Sequence, residues 1–370
     1  MSYGTINADV MQSSVAGVSL GAGNASIMKN RLINGSMTID QRNAGASWSA
    51  TNGNYGLDRW GANSFNGSNT TGIFTVQQNA GSVTPPVGFS KYLGVTSSAA
   101  TTYGASGIYT IYQPIEGYNI ADLGWGTANA KTVTLSFQVY SSLTGTFGGA
   151  LSNGGGTRSY PFSYSIPVAN TWTTISVTIT GDTTGTWTTD NSGGMIVKFG
   201  LGVGATYSGT AGSWAGTNYF SSTGATSVVG TNGATFYITG VQLEVGTSAT
   251  GFEYRQYQQE LALCQRYYEK LSGSGGASVF GSGAAGSTTD FRSYVRFSTP
   301  KRATPTISFS AANTFLYQGT STSSPSAITS AAANAISSLV SATGTYTAGQ
   351  AYTLLDNVSS STYIAADSEL

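Results

Sequence analysis

Hydrophobic and polar residues alternate along most of this chain. In "TVTLSFQVY", Thr132 to Tyr140, the apolar residues Val133, Leu135, Phe137 and Val139 occupy every second position, and in "WTTISVTIT", Trp172 to Thr180, Trp172, Ile175, Val177 and Ile179 nearly do. "MIVKFGLGV" (Met195 to Val203) and "TFYITGVQLEV" (Thr235 to Val245) are further segments of strand length. A period of two places one set of side chains on one face of a strand, so these segments predict antiparallel sheets with one buried face. Asn-Gly, Gly-Asp and Gly-Gly pairs separate them across residues 31–254, and no helical period interrupts. The pattern predicts an all-β fold, a jelly-roll-type antiparallel sandwich.

The period changes after Val245. A turn, "GTSATGFEYR", leads into residues 255–272, where Tyr257, Leu261, Cys264, Tyr268 and Leu271 stand four, three, four and three apart. That spacing is a short heptad seam and predicts one helix. Two heptads are marginal as a free helix in water, so the helix needs a partner surface. A parallel homotrimer seam supplies one; a single helix lying on the sandwich edge is the alternative. Residues 273–290 are rich in Gly and Ser and predict a linker, with room for one weak strand near Val279. Residues 291–370 resume short alternating segments and predict a small C-terminal β domain, although Ser324 to Ala342 permits helix or loop. Residues 1–30 are small and polar, and they predict an extended arm for attachment or a frayed terminus.

Charge adds exclusions. Charged residues make up 8% of the chain, with 15 basic against 15 acidic, and the basic ones are scattered. A phosphate backbone would find no basic patch, so nucleic acid is not an expected partner. No charged segment precedes an apolar one at the start, and no apolar run approaches the length of a membrane span, so neither a signal peptide nor membrane insertion is expected. Such a chain is made in a cytoplasm and leaves it by lysis or assembly. Solubility at this charge has to come from Ser, Thr, Asn and backbone amides, which suits a protein fixed in a large assembly.

The absence of histidine excludes histidine-dependent triads and histidine zinc sites. Cys264 is the single cysteine, so it forms no internal disulfide; on the seam it reads as a small buried hydrophobe. Carboxylates are few, and paired-carboxylate glycan cleavage would draw on Asp40, Asp58, Glu116, Asp122, Asp182, Asp190 and Glu244. No pair stands out, so no catalytic residue and no cofactor is expected. Asp58 is expected beside an arginine and Asp122 at a turn. Asp182, Asp190 and Asn191 lie in one loop and are weak candidates for calcium ligands, although their spacing fits Asx turns better. Aromatic rings stack on sugar faces, and Trp48, Trp187 and Trp214, set among small polar residues, are the surface candidates for glycan binding, with Tyr294 and Tyr317 in the C-terminal part. Trp60 and Trp172 are expected to be more buried.

Three stretches in order, "IMKNRLINGSMTIDQRNAGAS" with "YGLDRWGA", "YQPIEGYNIADLGWGTANAKTVTLSFQVYSSLTGTFGGAL", and "FYITGVQLEVGTSATGFEYRQYQQELALCQRYYEK", resemble bacteriophage tail-fibre and adhesion proteins. The resemblance spans residues 27–270. It implies a carbohydrate-binding-module-like jelly roll, a short helix and a variable C-terminal unit. It also implies a virion location, commonly as homotrimers. On this reading the protein is a non-enzymatic tail fibre: its N-terminal arm meets a phage tail or baseplate protein, and its far end, residues 291–370, is by position the candidate receptor-binding tip for a host surface polysaccharide, with the jelly roll as the other candidate. The alternatives are a capsid-attached fibre or decoration protein and a polysaccharide depolymerase.

Overall fold

The computed structural model describes residues 28–275, 278–318, 322–357 and 361–370. All but the last three residues of the expected N-terminal arm lie outside the described residues. The chain divides into two compact units, one ending at Gln256 and one running from Tyr257 to Leu370.

Among the described residues, the first unit contains fourteen strands: β1 (Trp48–Ser49), β2 (Asn54–Leu57), β3 (Trp60–Asn66), β4 (Phe74–Gln78), β5 (Leu93–Ser97), β6 (Gly107–Glu116), β7 (Val133–Ser141), β8 (Gly145–Asn153), β9 (Ser159–Ile166), β10 (Thr173–Ile179), β11 (Gly193–Val203), β12 (Ser208–Gly209), β13 (Ser221–Ser222) and β14 (Thr235–Val245). They build two six-stranded antiparallel sheets, ordered β1-β4-β5-β14-β7-β10 and β2-β3-β6-β11-β8-β9, with β12 and β13 as a short parallel pair. The chain changes sheet repeatedly between β5 and β14, so most neighbours within a sheet are far apart in sequence. This is the all-β sandwich that the alternation predicts.

The alternation sorts side chains as expected. Val133, Leu135, Phe137 and Val139 of β7 are buried between the sheets, while Ser136, Gln138 and Tyr140 face outward and are half-exposed. Phe137 stands 5.0 Å from both Phe199 and Tyr164 in edge-on contact, and Trp60 lies beside Phe199 at 6.3 Å. Rings of this size supply much of the apolar area that drives the sheets together.

The start of this unit is sewn to its end. Asn30 N–H donates to Glu253 Oε2 at 2.9 Å, its Nδ2 donates to Val241 O, and Arg255 Nη1 donates to Leu32 O at 3.1 Å. Asn34, in the left-handed region at φ 57°, uses its amide to bond Ile39 in both directions and also Asp58 O. Asp58 is buried. Burial pushes its carboxyl up, against the pull of Arg42 and of two bonds from Gln41 at 2.6 and 2.7 Å. Asp122 accepts a bidentate bond from Arg31 at 2.8 and 2.7 Å. The polar residues of the stretches "KNRLING" and "LDRW" therefore hold the scaffold closed.

The second unit begins with helix α1 (Tyr257–Gln265) and continues through β15 (Tyr268–Ser272), β16 (Val279–Ala285), β17 (Asp290–Arg296), β18 (Thr306–Phe309), β19 (Phe315–Gln318), β20 (Thr322–Ser323), β21 (Ala327–Ala333), β22 (Ser337–Thr343), β23 (Ala351–Asp356) and β24 (Tyr363–Asp367). A three-stranded sheet, β15-β24-β18, and a seven-stranded one, β20-β19-β23-β16-β17-β22-β21, are both antiparallel. Three expectations change here. The helix stops at Gln265, so Tyr268 and Leu271 of the seam lie on a strand paired with β24. Residues 273–290 hold β16, an interior strand of the larger sheet, instead of a linker alone. Ser324 to Ala342 carries β21 and most of β22 as a hairpin.

The end of α1 has a tertiary cause. The last carbonyls of a helix have no partner within it. Here Lys301 Nζ donates to Gln265 O at 2.6 Å, Arg302 N to Arg266 O at 2.9 Å and Ser368 N to Tyr267 O at 2.7 Å. Those bonds let the chain leave the helix at the Tyr-Tyr pair, whose side chains suit a sheet. Among the described residues no helix is long and apolar enough to cross a membrane.

Candidate ligand-binding cleft

Strands β7 and β10 pair with Gln138 opposite Thr174 and Ser136 opposite Ser176. Because Phe137 and Ile175 between them point into the core, these four polar side chains share the outer face of the first sheet. Thr174 Oγ1 donates to Gln138 Oε1 at 3.0 Å.

An aromatic wall rises beside this row. In β14 the register shifts between Thr239 and Gln242, and Gly240 in that bulge has φ +62°. A Cβ at Gly240 would stand 2.6 Å from Phe89 Cζ, so glycine both permits the bulge and admits the ring. Phe89, Phe252 and Tyr254 form a triad with centroids 5.1, 5.7 and 5.0 Å apart, and Tyr254 is 62% exposed. Gly88, at φ +92°, lets the Tyr254 hydroxyl approach its backbone closely.

Buried groups on β14 pin the loop that carries Phe252 and Tyr254. Glu244 accepts from Thr250 N at 2.8 Å and from its hydroxyl at 2.6 Å, while Gln242 Oε1 accepts from Glu253 N at 2.8 Å. The wall is therefore held in place before any ligand arrives, which lowers the entropy cost of binding. Between wall and strands lies a cleft of about 270 Å³ lined by Ser136, Gln138, Thr174, Ser176, Gly240, Thr250 and the three rings, among others. None of its lining residues is charged.

Of the aromatic residues expected to bind glycan, Trp187 and Trp214 meet, but pack on each other and on Trp125. Trp187 is buried, with 8% exposure, in an edge-on cluster with Trp125 and Trp214 at 4.7 and 5.6 Å. Each of these three indoles donates its N–H to a backbone carbonyl, of Lys131, Thr184 and Thr180 respectively for Trp125, Trp187 and Trp214. Trp48 and Trp214 are half-buried against the core, and Trp48 lies over Gly56. Tyr317 is 1% exposed, packed on Tyr346 at 4.3 Å, so it offers no face to a ligand. Tyr294 alone among the five is well exposed, at 66%. Trp60 is fully buried and Trp172 half-buried.

The loop of Asp182 and Asp190 is built on protein partners. Arg158 grips Asp182 through two bonds, at 2.7 and 2.9 Å, and Thr184 donates twice more. Burial alone would push the Asp182 carboxyl up, but those bonds hold it below its usual range. Asp190 accepts from Ser192 in an Asx turn. Among the described residues no group of three or more His, Cys, Asp or Glu stands together as a metal site, and Asp182 already has its cation in Arg158.

Sequence reasoning missed Phe89, Phe252 and Tyr254. Two of them sit in the turn "ATGFEYR" and the third follows "PPVG". An apolar ring in a loop of turn residues is the signal that was present.

No protein-family profile and no curated protein matches the chain. Solved structures similar to it include the enzymatically active domain of Bacteriophage CBA120 tailspike protein 4, at 12% identity and a TM-score of 0.30 over 59% of this chain and 22% of that one. An arabinose-bound α-L-arabinofuranosidase matches at 16% and 0.33, over 60% and 27%. A Family 11 carbohydrate-binding module from Clostridium thermocellum, in complex with a β-1,3-1,4-mixed-linked tetrasaccharide, matches at 13% and 0.27, over 56% and 99%. The chain thus spans about a quarter of the length of the first two.

Proposed function

We propose that the first unit binds a host surface polysaccharide without cleaving it, as the adsorption element of a homotrimeric phage tail fibre. The observation that carries the glycan part is the cleft itself: an exposed, preformed aromatic wall beside a row of neutral hydrogen-bonding side chains. Sugar rings offer apolar faces for stacking and hydroxyls that donate and accept, and the cleft supplies both complements. The lining contains no carboxylate. Paired-carboxylate cleavage needs an acid and a base or nucleophile flanking the bond, so this lining suits binding better than cleavage. Shortening of a polysaccharide incubated with the intact protein, abolished by one carboxylate substitution, would favour the depolymerase reading instead.

The fibre part is supported by the resemblance of residues 27–270 to tail-fibre and adhesion proteins and by the low charge of the chain. Attachment to a tail or baseplate protein through residues 1–30, and a virion location, belong to the same proposal. Antibody labelling of virions distinguishes it from a capsid decoration protein: label on the tail fibres supports it, and label spread over the capsid overturns it.

A glycan array read with the intact protein and with Tyr254→Ala tests binding. Tyr254 is exposed, so its truncation is expected to weaken the bound glycans about tenfold while leaving the melting temperature near that of the parent. Unchanged binding by Tyr254→Ala would place the site elsewhere, with the exposed Tyr294 the next residue to substitute.

A further inference from the structure

The outer face of β7 and β10 does not end at the cleft. Two positions beyond Gln138 stands Tyr140, and two before Thr174 stands Trp172, so the paired strands place these rings side by side. Tyr140 stacks on Tyr237 at 5.4 Å with 7° between the planes, Tyr237 stacks on Tyr92 at 5.0 Å, and Trp172 meets Tyr92 edge-on and Tyr140 at a tilt of 52°, both at 5.5 Å. Trp172 is fixed further by its indole N–H, which donates to Thr84 O at 2.8 Å. Tyr92 and Tyr237 are buried beneath, whereas Tyr140 and Trp172 keep half-exposed surfaces. This is a second aromatic platform, backed by its own small core on the outside of the sandwich.

Along a strand, same-face residues repeat about every 6.7 Å, so Ser136 to Tyr140 spans about 13 Å. That is longer than one pyranose ring. We infer that the cleft and the Tyr140–Trp172 platform form one groove for an uncharged oligosaccharide chain lying along β7 and β10. The inference rests on the cleft being a glycan site and adds two properties to it: the ligand is extended, and it is neutral. Neutrality is argued from the cleft, whose lining holds no charged side chain and whose neighbouring ammonium, Lys29, is already bonded to Thr250 and Gly251 O and lies 4.0 Å from Glu244, so an acidic sugar would give up hydration of its carboxylate for little return.

The test uses the intact protein on an array carrying neutral and uronic-acid oligosaccharides in length series from di- to hexasaccharide. Neutral hexasaccharides are expected to bind more tightly than the disaccharides of the same linkage. Trp172→Ala is expected to lose about tenfold on the hexasaccharide and little on the disaccharide, whereas Tyr254→Ala loses on both. Tyr140→Leu, which keeps apolar cover over Tyr237, is expected to reproduce the Trp172→Ala pattern if that variant folds poorly. Equal affinity across lengths, no loss on the hexasaccharide from either platform variant, or preference for the acidic series would overturn the groove while the Tyr254→Ala loss still upheld the cleft. No loss from Tyr254→Ala would remove cleft and groove together.

Discussion

Lys198 shows what one side chain costs in a face that faces out yet is covered. It stands on the outer side of β11, 3% exposed, with Nζ donating to Asn218 Oδ1 at 2.7 Å and lying 4.0 Å from the Phe220 ring centroid. Burial drives its ammonium down from 10.5 to about 7. Between those values the unfolded chain still holds the proton and the folded chain has released it, so stability rises with pH across the window from about 7 to 10.5. The cost below neutral pH is on the order of 5 kcal/mol. Lys198→Met is therefore expected to raise the melting temperature at pH 6, with the gain shrinking as pH approaches 10. A gain independent of pH would mean that the ammonium carries no such cost. The run "MIVKFGLGV" shows this lysine among apolar residues, but not that residues 218–220 cover it. That cover comes from a segment about twenty residues later.

At the scale of elements, α1 and β15 turn on one buried pair. Lys301 Nζ lies 2.6 Å from Glu269 Oε2 with both side chains fully buried, and it also donates to Gln265 O and Thr299 O. Glu269 accepts in addition from Ser298 N, at 2.9 and 3.1 Å. Burial pulls the Lys301 ammonium below its ordinary value, and Glu269 restores part of it. Removing one partner leaves the other charge buried alone, so Glu269→Gln is expected to destabilise the protein by about 3–5 kcal/mol in urea unfolding. Glu269→Leu with Lys301→Met is expected to recover most of that, because no charge is then left unpaired; failure to recover would show that the hydrogen bonds, not the charges, matter. The heptad spacing reads through this junction without a break. Local period measures what a helix would do alone, whereas the pairing of β15 with β24 comes from the far end of the chain.

For the whole molecule, the homotrimer is the prediction that sequence and fold leave to solution measurement. Of the five seam residues, Tyr257 is 59% exposed, Leu261 is half-buried, Cys264 and Tyr268 are buried, and Leu271 lies on β15. Any seam must therefore use the first turns of α1. Leu261→Asp places a charge there and is expected to lower the mass in light scattering from three chains towards one. A parent protein that already runs as a monomer would overturn the trimer outright.

The sequence by itself determined the all-β class, the inward residues of the long strands and the poverty of charge, because period two and turn residues are local properties that survive in almost any packing. It also marked the Asx character of the Asp190 turn. Which aromatic rings face solvent was decided only by the tertiary structure. Trp187 and Trp214 sit among Ser, Thr and Gly yet close on Trp125, while Phe89 and Tyr254, more than 160 positions apart in sequence, meet at 5.7 Å over a bulge that Gly240 makes possible. Burial of a ring depends on what the rest of the chain brings to it, and in a sandwich whose strands change sheet that partner is far away in sequence.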